Sequence, residues 1–185
     1  MTQTLNSGQD VVSFLKAQHE QIKTLFGSVI AATGSQREET FLELRRLLAV
    51  HETAEEEVVH PRAKHEIDDG EAIVDARLHE ENEAKQALAE LEKFDVDSTE
   101  FETKFRTLQS DVLAHAEAEE QQEFAKLAAE LDTAQLERMR NAVRLAETTA
   151  PTRPHAGVES KGANMLVGPF AAMLDRARDA INGKG

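Results

Sequence analysis

Two segments of this chain repeat one arrangement: His51-x-x-x-Glu55 and His115-x-x-x-Glu119. Each pair interrupts an otherwise apolar stripe. The first stripe is Leu44, Leu47, His51, Glu55 and Val58. The second is Phe101, Phe105, Leu108, Val112, His115 and Glu119. Spacings of three and four put each set on one face of a helix. An inward face with an imidazole and a carboxylate one turn apart is a rigid chelating surface for one metal ion or for two adjacent ones.

The rest of the chain agrees with a helical frame. It has nine Gly and four Pro, and three of the prolines follow residue 150, so residues 1–148 are nearly free of helix breakers. Alternating β patterns are absent. The expected fold is all-α, an up-down-up-down four-helix bundle with an added C-terminal helical tail. The first helix is expected from Asp10 to Thr33, with the stripe Val12, Leu15, His19, Ile22, Phe26 and Val29, and Gly34 ends it. Ser35-x-x-Glu38 reads as a capping box for a second helix from Arg37 to Pro61, continuing with a kink toward Ile67. The turn Asp68–Gly70 leads to a third helix, Glu71 to Phe94, whose stripe is Ala72, Ala76, His79, Glu83, Gln86 and Glu90. Asp97-x-x-Glu100 caps a fourth, Ser98 to Glu130, and Asp132-x-x-Gln135 starts a fifth, Thr133 to Glu147. Residues 1–147 are thus read as one bundle. Residues 148–185 are read as a linker and an amphipathic tail, not an independent domain. Leu166, Phe170 and Leu174 of that tail are expected to pack on the bundle or on a second subunit, which would give a homo-oligomer.

Net charge and residue usage exclude several functions. At −14 the chain lacks the clustered Lys and Arg that phosphate binding needs, so no nucleic-acid partner is expected. It has no cysteine, which removes disulfides, thiolate metal sites, iron–sulfur ligation and thiol catalysis. The N-terminal MTQTLNSGQD carries no secretory pattern, and no apolar run approaches ~20 residues. The expected location is the cytoplasm, with no transmembrane segment.

Four histidines fall one to a helix: His19, His51, His79 and His115. His19 lies 14 residues before Thr33, and His51 lies 14 after Arg37. Both are ~21 Å from the shared loop at ~1.5 Å per residue. His79, 15 residues before Phe94, and His115, 17 after Ser98, are nearly level. In an up-down-up-down bundle the four meet at one height, together with Glu55 and Glu119. Buried without partners they would be costly, and metal ions supply the partners. Six ligands exceed one tetrahedral zinc and suit two metals, and mixed nitrogen and oxygen donors favour iron.

The segments LKAQHEQI, HETAEEEVVHP, RLHEENEA and HAEAEEQQEF resemble the hemerythrin-like, HHE cation-binding family over residues 10–130 or so. The tail from Thr148 onward is similar to extensions of actinobacterial members. The resemblance implies a non-haem centre of two iron ions with an oxo or hydroxo bridge, held by His19, His51, Glu55, His79, His115 and Glu119. It also implies that Glu55 and Glu119 bridge. Oxygen-carrying members have a fifth histidine where this chain has Asp75, and their fourth-helix carboxylate is an Asp five residues after its His. The implied activity is therefore reaction with small oxidants, foremost a catalase-like decomposition of hydrogen peroxide, or reaction with nitric oxide. The alternatives are an oxygen or nitric oxide binding and sensing protein and an iron donor for iron–sulfur repair. His60 stands where many members have an aromatic residue. On a regular helix it points ~180° from His51, so a surface or kink position is expected. His65 and His155 are not expected to ligate. Glu52, Glu56, Glu57, Glu117 and Glu120 are read as solvated neighbours.

Overall fold

The computed structural model describes residues 10–148. The predicted tail, its packing role and His155 lie outside them. The elements run α1 (Val11–Ala31), α2 (Gly34–Ala54), a π-helical stretch (Glu55–Val59), α3 (His60–Glu66), α4 (Gly70–Leu91), α5 (Thr99–Ala118), a second π-helical stretch (Glu119–Phe124), α6 (Ala125–Glu130) and α7 (Thr133–Glu147). The second predicted helix is thus α2 and α3 joined through one wide turn, and the fourth is α5 and α6 joined through another. Four long rods result, with α7 laid across α1, α2 and the first wide turn. This is a helical bundle, as the periodicity predicts, and the described residues contain no strand.

The helix ends follow local chemistry, with one departure. Asp10, Ser98 and Asp132 accept hydrogen bonds from the backbone N–H groups of Ser13, Phe101 and Gln135, and Gln135 completes a capping box by binding back to Asp132. The expected box at Ser35 does not form. Gly34 opens α2 at φ 56°, a left-handed conformation glycine adopts without steric cost, and its N–H donates to the Asp97 carboxylate across the bundle end. Asp97 is drawn there, which leaves Ser98 to cap α5.

Arg37 closes the same end. Its buried guanidinium donates to the carbonyls of Val29, Ile30, Ala32 and Val96. Val29 and Ile30 lie in the last turn of α1 and Ala32 caps it, where carbonyls have no partner within the helix. At the opposite end Gly70 lets α4 start against α3. A Cβ there would lie 2.3 Å from the carbonyl oxygen of Ala63.

Two apolar cores fill the bundle. One joins Leu15, Val58, Val59, Ala63 and Val74 to Phe124, Leu127, Met139 and Val143. The other joins Ile22, Phe26, Phe41, Leu44 and Leu48 to Leu88, Phe101, Phe105, Leu108 and Val112. Along every long rod the change from one core to the other falls between two named residues: Leu15 and Ile22, Leu48 and Val58, Val74 and Leu88, Val112 and Phe124. The polar side chains discussed below occupy that interval. No helix among the described residues is long and apolar enough to cross a membrane.

Replacing Arg37 with Ala strips partners from buried carbonyls far from the polar layer. It should lower folding stability by roughly 2–4 kcal/mol in urea or thermal unfolding, while metal content stays unchanged.

Candidate metal centre

The interval between the cores holds nine buried titratable groups: His19, His51, His60 and His115 with Glu52, Glu55, Glu81, Glu119 and Glu123. The side chains of Glu55, Glu119 and Glu123 have no solvent exposure. Three of the imidazoles share one pattern. In each, Nδ1 is held by an oxygen outside the cluster and Nε2 faces a carboxylate inside it. His19 Nδ1 lies 2.9 Å from Glu120 Oε1, His51 Nδ1 2.9 Å from Gln18 Oε1, and His115 Nδ1 2.8 Å from Glu80 Oε2. Amide and carboxylate oxygens accept, so each Nδ1 donates outward and Nε2 is the ring nitrogen turned into the layer. Gln18 is itself oriented by its amide donating to Glu147, and Glu80 by Arg77. Outer partners of this kind fix the tautomer and the ring plane of a metal-ligating histidine.

On the inner side, Glu119 is central. Its Oε2 is 3.4 Å from His19 Nε2 and its Oε1 is 3.3 Å from His115 Nε2. Glu55 Oε2 is 3.4 Å from His51 Nε2, and Glu52 Oε2 is 3.9 Å from His115 Nε2. These spacings exceed ordinary hydrogen bonds. Both oxygens of Glu55 and of Glu119, one oxygen each of Glu52 and Glu81, and Nε2 of His19 and of His115 are buried without a hydrogen-bond partner. Electrostatics match the crowding. Burial, then the charges of Glu119, Glu52, Glu81 and Glu123, push the Glu55 carboxyl well above the usual range. Burial also acts to raise Glu119, but the nearby imidazoles of His115 and His19 outweigh it and hold it well below that range. Burial, aided by the charge of His19, pushes the His51 imidazole down to about 3, which leaves it a neutral donor.

Among the described residues the donor atoms fall into three overlapping groups close enough to share a cation: His19, His51, Glu55 and Glu119; Glu52, Glu81 and His115; and His60, Glu81 and Glu119. A divalent cation supplies the partner that the orphaned oxygens and Nε2 atoms lack, so the residues fit a metal site. A small pocket with room for about one water-sized molecule reaches this layer. Its polar lining is His19, His51, Glu52 and His115, and its apolar lining is Ile22, Val112, Leu113 and Ala116.

The model of the hemerythrin HHE cation binding domain matches residues 10–127, which contain every residue of the layer. The chain belongs to that family. A solved hemerythrin HHE cation binding domain-containing protein from Mycobacterium kansasii shares the fold, with a TM-score of 0.68 over 91% of this chain and 99% of that one, at 18% identity. A DNA nickase of Nostoc sp. is 27% identical over 158 residues, which cover 85% of this chain and 43% of that protein. The chain thus spans less than half the length of that relative.

Within this HHE frame the structure brings together five of the six predicted ligands: His19, His51, Glu55, His115 and Glu119. It does not bring His79. That side chain is 73% exposed and sits 3.6 Å from Glu83 on the outer face of α4. The stripe expected for this helix is the solvent face. The inward face is Val74, Arg77, Glu81, Leu88 and Leu91. Arg77 and Glu81 make that face look polar in sequence, which hides it. The residue of α4 that enters the layer is Glu81, two positions and ~200° from His79. Asp75, weighed as a substitute for a fifth histidine, is exposed and paired with Lys64 at 2.6 Å.

His60 is corrected as well. It is buried, not at the surface, with Nε2 2.7 Å from Glu81 and Nδ1 3.0 Å from Glu123. Its backbone N–H bonds to the carbonyl of Glu55, five residues back. That extra residue per turn removes ~100° of rotation and swings His60 inward. Pro61, which lacks an N–H and is incompatible with a regular turn before it, marks the place in sequence. Burial lowers the His60 pKa, but the bonds to Glu123 and Glu81 prevail and raise it well above the ordinary value. Glu52 is buried in the layer rather than solvated, and Glu120 and Glu56 are tied to His19 and Lys85. Glu57 is half-buried, and Glu117 and His65 are exposed, as expected.

His79→Ala should leave metal content unchanged, whereas Glu119→Ala, which removes the oxygens facing His19 and His115, should empty the site. Elemental analysis of the purified variants decides between the two positions. Gln18→Leu frees His51 Nδ1 and should weaken metal affinity by roughly 10–100-fold in a competition titration against a chelator.

Proposed function

We propose that this protein holds a pair of iron ions in the polar layer and uses them to decompose a small oxidant, foremost hydrogen peroxide. The observation that carries the reading is the position of Glu119. Its two oxygens face His19 and His115, so one carboxylate addresses two donor groups at once. His19, His51, Glu55 and Glu119 would hold one ion. His115, Glu52 and Glu81 would hold the other, with Glu119 Oε1 3.3 Å from His115 Nε2. When bound, the ions supply Lewis acidity and redox capacity.

The chain's own residues support a small reactant. The pocket over His19, His51 and His115 has room for about one water-sized molecule, which favours a small reactant. Ile22, Val112, Leu113 and Ala116 line its apolar side. His60, clamped between Glu81 and Glu123, keeps a protonatable ring beside the reacting region. Disproportionation of peroxide to water and dioxygen needs no separate reductant. A chain without Cys, Trp or Tyr offers few oxidisable side chains nearby. A net charge of −14 disfavours phosphate contact, so the activity in the DNA nickase relative's name does not carry over to this chain.

The test is oxygen evolution from hydrogen peroxide by the iron-loaded protein, with iron per chain and the optical spectrum measured on the same sample. Turnover is expected, and His51→Ala should lose both iron and turnover. An iron-loaded protein that leaves peroxide intact but binds and releases oxygen or nitric oxide unchanged would replace this reading with a binding or sensing role.

A further inference from the structure

Imidazole–carboxylate distances in the layer fall into two classes. The first is 3.4 Å from His19 Nε2 to Glu119, 3.3 Å from His115 Nε2 to Glu119 and 3.4 Å from His51 Nε2 to Glu55. Those gaps are long for hydrogen bonds, and they leave donor atoms of His19, His115, Glu55 and Glu119 orphaned around candidate cation positions. His60 belongs to the second class. Its Nε2 is 2.7 Å from Glu81 Oε1 and its Nδ1 is 3.0 Å from Glu123 Oε1. A ring with both nitrogens in hydrogen bonds has no lone pair left for a cation. His60 lies within reach of Glu81 and Glu119, yet its geometry is that of a support and not of a ligand.

What it supports is Glu81. One oxygen of that carboxylate is bonded to His60, while Oε2 is buried without a hydrogen-bond partner. Lys85 approaches Oε2 only to 3.8 Å, because its ammonium is engaged by Glu56. Glu81 shares a donor group with His115 and Glu52, so its free oxygen belongs to the second ion. Glu123 also keeps one buried, unpartnered oxygen, but none of the donor groups among the described residues includes it. Its place is the second wide turn, and His60 directly follows the first. The ring is thus fixed by the two turns and passes their geometry to α4. Elsewhere in the layer an oxygen orients an imidazole; here an imidazole orients a carboxylate.

Resting on the two-ion reading above, we propose that His60 and Glu123 are positioning residues for the second ion: Glu123 holds the His60 ring, and the ring aims Glu81 Oε2 at the ion shared with His115 and Glu52. Without the ring, Lys85 would compete with the ion for Glu81.

The experiment is an anaerobic iron(II) titration of the chelator-treated full chain against a competing chelator, with circular dichroism of each variant. The unmodified chain should bind a pair of irons. His60→Leu should keep one and bind the other about 10–100-fold more weakly, the usual effect of removing a hydrogen-bonded support from a metal ligand. Glu123→Leu should do the same, and the double variant should be no weaker than either single one, because both act through one strut. Glu123→Gln keeps an acceptor for the ring and should bind both irons as the unmodified chain does. If His60→Leu proves unfolded, the contrast between Glu123→Leu and Glu123→Gln carries the test. Unchanged affinity in folded His60→Leu or Glu123→Leu, additive losses in the double variant, equal weakening of both irons, or a far deeper loss in His60→Leu than in Glu123→Leu, as a direct ligand would give, would overturn the positioning role alone. An unmodified chain that binds a single iron or none would overturn the two-ion reading and this role with it.

Discussion

A layer of buried ionisable groups between two apolar cores is the constraint on which this bundle depends. Each long rod must be apolar, then polar, then apolar again along the same face, and the changes must coincide in height. Leu15 and Ile22 bracket His19, Leu48 and Val58 bracket His51 and Glu55, and Val112 and Phe124 bracket His115 and Glu119. Such a layer opposes folding unless its groups find partners, since a buried carboxylate or imidazole without one is costly. Apolar packing above and below holds it in place. Phe124 stacks on the His19 ring at 5.7 Å, so the core restrains the site's own side chains directly.

The wide π-helical turns solve a geometric problem that regular helices cannot. A straight α-helix can aim residues at i and i+4 into one layer, but its face drifts away over the next turn. At Glu55–Val59 the extra residue keeps Val58, Val59 and His60 all inward. At Glu119–Phe124 it does the same for Glu119, Glu123 and Phe124. The two turns face the same layer, and His60 and Glu123 join them at 3.0 Å. Local departures from α-helical geometry of this kind are frequent at functional sites, and here they carry Glu55, Glu119 and Glu123.

The atoms that face inward and the atoms that support them belong to different residues. The inner atoms are Nε2 nitrogens and unpartnered carboxylate oxygens. The outer atoms are Glu120, Gln18 and Glu80, each fixing one ring through Nδ1. Glu147, at the end of α7, reaches the centre through Gln18. Helix α7 is therefore coupled to the orientation of His51 although none of its residues enters the layer.

How much was legible in sequence depends on how local the cause was. The two His-x-x-x-Glu pairs and His19 could be placed by counting, because helical periodicity is a local property and the flanking residues are plainly apolar. The capping box at Asp132 was equally local. The HHE resemblance followed from those motifs and is matched by the family model over residues 10–127. What tertiary structure alone decided was which face of α4 turns inward and where two helices widen. Arg77 and Glu81 make the inward face of α4 polar, so periodicity pointed to His79 on the opposite side. The sequence around Pro61 announced a disturbance but not its hand, and only packing against Glu81 and Glu123 shows that His60 swings in. Helix identity was written in the spacing of side chains along one segment. The composition of the layer was settled by which segments met across it, because a buried charged group is tolerated only where another element brings its partner.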